Sequence, residues 1–164
     1  MTMRTLTSPK RSNGRPRGAR GFTITETMLA IAVLAILVGL AAPGFREIIL
    51  SQAVKTASFD LFSNLVVARS EAITRNTTVT VTPSGGNWAN GWTITDSSGE
   101  VVGRQDRFAQ VVIAGPGSIT FNGAGRVTTG STSLSLMANG GKAPHNRCIE
   151  IDLGGRPASK KGAC

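Results

Sequence analysis

The sequence predicts an α+β fold, with one long N-terminal helix laid against an antiparallel β-sheet head. Three observations predict it. An unbroken run of apolar and small residues, Met28 to Ala42, lies near the N-terminus. Helical spacing of apolar residues resumes after Pro43-Gly44 and continues to about Arg75. From Thr77 onward, short Thr- and Val-rich segments alternate with turns rich in Gly, Asn and Ser. The 164 residues leave room for one compact domain plus an anchoring segment, and 40% apolar content suffices for a core.

Residues 1–21 come first. They are polar, basic, rich in Ser, Gly and Pro, and carry no helical or strand period. Arg4, Lys10, Arg11, Arg15, Arg17 and Arg20 lie here with no acidic residue among them. Taking these six from the 18 basic residues leaves 12 against 9 acidic ones, so the net charge falls from +9 to +3. Much of the basic character is therefore a leader signal.

Phe22 to Ala42 reads as a helix. Its 21 residues would rise about 30 Å, the thickness of a bilayer core. Pro43 and Gly44 then mark a kink or break. The positive-inside rule places the basic leader in the cytoplasm and the remainder outside it. A secretory signal would be cut after its apolar stretch, and Ala41-Ala42-Pro43 is a poor site of that kind because proline follows. Glu26 stands near the start of the apolar segment, where a carboxylate is costly without a partner. It either snorkels to the interface or pairs with a cation on a neighbouring molecule. Cleavage after Gly21 would create such a cation, the freed amine of Phe22.

Gly21-Phe22-Thr23-Ile24-Thr25-Glu26, preceded by a basic leader and followed by the apolar run and Pro43, resembles the signal of type IV prepilins and pseudopilins. That resemblance implies cleavage after Gly21 by a prepilin peptidase and methylation of Phe22. It also implies that Glu26 guides assembly with other pilin or pseudopilin subunits.

Beyond the break, Phe59, Phe62, Leu65, Val66, Ala68, Ala72 and Ile73 recur at three- and four-residue spacings and should pack on a sheet. Glu71 and Arg75 are four apart in the favourable order for a helix pair. Candidate strands follow at 77–82, 91–96, 100–105, 107–114, 118–121, 131–137 and 147–153. Cys148 and Cys164 fall in the last seventeen residues; outside the cytoplasm they read as one disulfide, with two unpaired thiols as the alternative.

Ala68-Arg69-Ser70-Glu71-Ala72-Ile73-Thr74-Arg75-Asn76, then Gly91-Trp92, then Ile119-Thr120-Phe121-Asn122 with Gly125, resemble minor pseudopilins and pilins of the GspH and FimT type. The resemblance covers residues 21 to about 156. It implies either a structural place in a type II secretion pseudopilus or a type IV pilus subunit associated with DNA uptake. A shared fold does not choose between them.

Gly154 to Cys164 carries Arg156, Lys160 and Lys161 and no side-chain anion, with Lys142, His145 and Arg147 just upstream. Its Gly, Pro and Ser content predicts a flexible, tethered basic loop. Such a loop suits sequence-independent contact with phosphates. The tail holds no aromatic residue, so it supports duplex DNA rather than stacking on single strands. FimT-type proteins carry a Gly-Arg-x-Arg-like DNA-binding motif, to which Gly155-Arg156 is similar. Ala158 replaces its second arginine, and Lys160 and Lys161 keep charge without the bidentate fork. Arg156, Lys160 and Lys161 are therefore the expected DNA contacts, supported by Lys142 and Arg147. The bland alternative is a solvated tail that keeps the subunit soluble.

Other chemistry finds little support. His145 is the sole histidine, which excludes a histidine-based metal cluster, and no cofactor is implied. The Ser-rich segments lack a His or Lys base at a recognisable spacing, and Gly123-Ala124-Gly125-Arg126 lacks the order of a phosphate loop. Trp88 and Trp92 read as packing residues. The expected organisation is a cleaved leader at 1–21, a transmembrane and filament-core helix at 22–44, and an extracytoplasmic head at 45–164. The expected location is the bacterial inner membrane, single-pass with the head in the periplasm, from which the subunit enters a pilus or pseudopilus.

Overall fold

The computed structural model describes residues 21–140 and 145–164. Residues 1–20 of the expected leader and the candidate contact Lys142 lie outside the described residues. Among the described residues, the helical element α1 spans Ile24–Arg75, and eight strands follow: β1 Val79–Pro83, β2 Trp92–Asp96, β3 Val101–Gln105, β4 Val111–Ala114, β5 Ile119–Phe121, β6 Thr132–Ala138, β7 Arg147–Ile151 and β8 Pro157–Lys161. The chain divides into two compact units between Leu40 and Ala41, close to the expected break at Pro43.

The first unit is helical from Ile24. Thr23 caps it, its hydroxyl accepting from the Glu26 N–H at 3.3 Å. Met28, Leu29, Ile31, Val33, Leu34, Ile36, Leu37 and Val38 are all exposed, so the segment is apolar all round instead of presenting one stripe. No single helix among the described residues is long and apolar enough to cross a membrane. Ile24–Leu40 and Gly44–Arg75 meet that test of length and composition only as a pair.

The second unit contains the remainder of α1 and two four-stranded antiparallel sheets, ordered β3-β2-β1-β5 and β4-β6-β7-β8. Alternation in the strands sets their inner faces: Val79 and Val81 on β1, Trp92 and Ile94 on β2, Ile119 and Phe121 on β5, and Leu134 and Leu136 on β6 are buried. They join α1 residues and Ile149 and Ile151 of β7 in one continuous core. Both tryptophans are core residues, as expected. Trp88 donates its Nε1–H to the Pro116 carbonyl at 2.7 Å, and the Trp92 ring stacks on Phe108 with centroids 5.7 Å apart.

The buried stripe of α1 differs from the expected one. It runs through Leu50, Val54, Ala57, Leu61, Leu65, Ala68 and Ala72, whereas Phe59, Val66 and Ile73 are exposed and Phe62 is half-buried. Small residues on the packing face let the helix backbone approach the sheets. Ranking positions by hydrophobicity alone passes over Ala57 and Ser58, which are both buried.

The C-terminal end of α1 is pinned by charge. Arg75 reaches Glu71 at 2.8 Å, as expected for the helix pair, and also Asp96 and Glu100 across the β2–β3 turn, each at 3.1 Å. The Ser98 hydroxyl, backbone N–H groups and Arg75 together hold the Asp96 carboxyl below the usual carboxylate range. Further along the helix, Arg69 donates to the Gly125 carbonyl at 3.0 Å, which joins two of the motifs singled out in the sequence.

Candidate functional site

The basic C-terminal segment is a strand, not a flexible loop. β8 pairs antiparallel with β7 in the register Arg147↔Lys161, Cys148↔Lys160, Ile149↔Ser159, Glu150↔Ala158 and Ile151↔Pro157. The expectation of flexibility rested on Gly, Pro and Ser content. Proline is tolerated at the first position of an edge strand, and that is where Pro157 stands.

The hairpin turn is built on Asp152. Its backbone N–H donates to the Arg156 carbonyl at 3.2 Å, and its carboxylate accepts from the Arg156 backbone N–H at 2.9 Å and from Nε at 3.2 Å. The Arg156 backbone N–H, ahead of its guanidinium, holds the Asp152 carboxyl below its ordinary range. Gly155 is buried with φ +74°, and a Cβ there would collide with the Gly125 carbonyl oxygen. The Gly155-Arg156 pair therefore shapes the turn and locks it onto the Asn122–Arg126 loop, whatever else it does.

At the far end, Cys148 and Cys164 form a disulfide with Cα atoms 5.0 Å apart, which fastens the chain terminus to β7.

The predicted contacts among the described residues are all on this hairpin, but they do not form one cluster. Arg156 lies at the turn, 76% exposed and paired with Asp152. Lys160 pairs with Glu150 at 2.5 Å on the outer face. Lys161 and Arg147, as register partners, share the other face. On that face α1 and the hairpin enclose a groove of about 510 Å3 lined by Lys55, Ser58, Phe59, Phe62, Arg147 and Ser159. The Ser58 and Ser159 hydroxyls meet across it at 3.2 Å. The sequence assigns Phe59 and Phe62 to the packing stripe and does not single out Lys55, although the i, i+4, i+7 spacing of the three places them on one helix face.

The expected processing and assembly positions lie at the other end of the chain. Gly21 and Phe22 precede α1 and are exposed. Glu26 is exposed in its first turn, and no cation among the described residues pairs with it.

A long N-terminal helix followed by an antiparallel β head, with a Gly-Phe and Glu signature opening the helix, defines a type IV pilin-like subunit. The family described as type II transport protein GspH matches residues 57–155, and the chain belongs to it. The prokaryotic N-terminal methylation motif matches residues 16–42. Such subunits assemble with other pilins, and the motif is one that prepilin peptidase processes. No curated protein matches the chain. Among solved structures, the type IV minor pilin FimU of Pseudomonas aeruginosa (strain PAO1) is similar in two crystal forms. Both are 22% identical and cover 65% of this chain, with 87% and 91% of their own chains covered and TM-scores of 0.58 and 0.57. The minor pseudopilin EpsH of the Vibrio cholerae type 2 secretion system is 12% identical, covering 68% of this chain and 96% of its own, with a TM-score of 0.47.

Proposed function

We propose that this pilin-like subunit binds double-stranded DNA without strong sequence preference through its β7–β8 hairpin and so supports DNA uptake in natural transformation. In this reading the chain is cut after Gly21, methylated at Phe22, held in the inner membrane by the helix opening at Ile24, and assembled through Glu26. The observation that carries the reading is the location of charge. After Gly21 the chain has an excess of three positive charges, and residues 142–164 hold five cations against Glu150 and Asp152, the same excess. Exposed ion pairs such as Arg156–Asp152 contribute little to folding, so a phosphate can compete for the cation.

The test uses the full processed chain in a nonionic detergent, titrated against a short duplex at about 50 mM and about 200 mM salt. Salt-sensitive binding that is lost in an Arg156→Gln, Lys160→Gln, Lys161→Gln variant is the expected result. No binding at low salt with tens of micromolar protein would sink the reading.

One observation favours a second reading, a structural minor pseudopilin of the GspH type in a type II secretion pseudopilus or a pilus. Arg156 and Lys160 are each paired with a carboxylate of their own hairpin, which offsets their charge toward a phosphate. In that case the triple variant would bind other pilin subunits less well and DNA would be irrelevant.

A further inference from the structure

The groove between α1 and the hairpin has a composition that the exposed turn lacks. Its lining contains Lys55 and Arg147, two aromatic rings and two serines, and no carboxylate. Lys161 shares the Arg147 face. Among the described residues, Lys55, Arg147 and Lys161 form no ion pair, in contrast to Arg156 and Lys160. Glu150, which would oppose an anion, projects from the other face beside Lys160. Phe59 is 71% exposed at this groove, and Phe62 beside it is half-buried.

Cations along a groove with an exposed aromatic ring are the two parts of a single-strand site: charge follows the phosphates while a base stacks on the ring. A duplex hides its base faces, so it would engage the cations and leave Phe59 idle. An acidic peptide would satisfy the cations and offer no flat ring to Phe59. We propose that this groove binds an unpaired nucleic-acid strand, with Phe59 stacking on a base and Lys55, Arg147 and Lys161 holding its phosphates. The proposal rests on the DNA-binding reading above and adds a second mode to it: the hairpin cations engage a duplex, and the groove with Phe59 takes a strand whose bases are unpaired. The aromatic partner absent from the basic tail is supplied by α1.

The experiment measures anisotropy of three labelled probes with the full processed chain in detergent: a short oligothymidylate, a base-free deoxyribose-phosphate strand of equal length, and a duplex. Phe59→Ala should weaken oligothymidylate binding about tenfold, within the range expected for one stacked base. Binding of the base-free strand and the duplex should change less than twofold. Because Phe59 is exposed, this variant should melt with the wild type. Phe59→Trp should keep the affinity, and its fluorescence should be quenched when oligothymidylate binds. Unchanged oligothymidylate binding by Phe59→Ala, with duplex binding intact, would overturn this inference and leave the DNA reading standing. Equal losses on all three probes would also overturn it. No binding of any probe would overturn both. Phe59-dependent displacement of the oligonucleotide by a glutamate-rich peptide would transfer the groove to a peptide partner.

Discussion

Lys160 and Lys161 are neighbours in sequence and project from opposite faces of the second sheet. Lys160 is registered against Cys148 and bonded to Glu150, whereas Lys161 is registered against Arg147. The same alternation splits the cations of the β7–β8 hairpin into an outer, carboxylate-paired set, Arg156 and Lys160, and an unpaired pair on the other face, Arg147 and Lys161.

The two lysines should therefore behave differently in duplex binding. Lys161→Gln should reduce the slope of log affinity against log salt by about 1, the value for one lost phosphate contact. Lys160→Gln should reduce it less, because Glu150 already offsets that charge. Glu150→Gln should raise duplex affinity by freeing Lys160. Salt titrations of the three variants check this, and weaker binding by Glu150→Gln would contradict it.

The Cys148–Cys164 disulfide closes a loop with a sequence separation of 16. Reduction, or a Cys148→Ser and Cys164→Ser double variant, should lower stability by about 3 kcal/mol through the regained chain entropy. Denaturant melts of the oxidised and reduced chain measure it. Identical midpoints would show that the cross-link is not what holds β8 on β7.

Gly155 and Gly85 both have positive φ, yet only Gly155 is crowded by a backbone carbonyl. Gly85→Ala should cost about 1 kcal/mol, the strain of a left-handed alanine. Gly155→Ala should cost more, because the hairpin turn must also move away from Gly125. Equal denaturant midpoints for the two variants would remove Gly155 from any role in docking the turn.

Asp96 is held below its ordinary value of 3.8, chiefly by the Ser98 hydroxyl. A depressed folded value means that its stabilisation is complete above the unfolded value and is lost as pH falls through the folded one. Asp96→Asn should therefore destabilise the chain at neutral pH, and the difference from wild type should shrink as pH falls below about 4. Melting curves at neutral and acid pH test the sign. A difference that grew on acidification would contradict it.

Much of the fold was legible because it depends on local patterns. The apolar run, the Thr/Val alternation of β1 and the Gly- and Asn-rich turns each act over a few residues, and seven of the eight strands fall within or across the expected segments. β8 was not legible. PASKK has weak strand propensity, and its pairing comes from the Asp152–Arg156 turn and from β7. The α1 stripe was legible at Leu65, Ala68 and Ala72 but not nearer the N-terminus, where close helix–sheet packing selects small residues such as Ala57 and Ser58 over Phe59.

The sequence by itself determined the order of a basic N-terminal segment, an apolar helix and a β head, the methylation-motif signature around Gly21-Phe22, and the concentration of charge near the C-terminus. Tertiary structure alone decided which cations stand together. Strand pairing sends consecutive side chains to opposite faces, and folding brings Lys55 and Phe59 of α1 beside Arg147, about ninety positions away in the chain. Neither relationship is written in local periodicity, because each depends on a register set by residues remote in sequence.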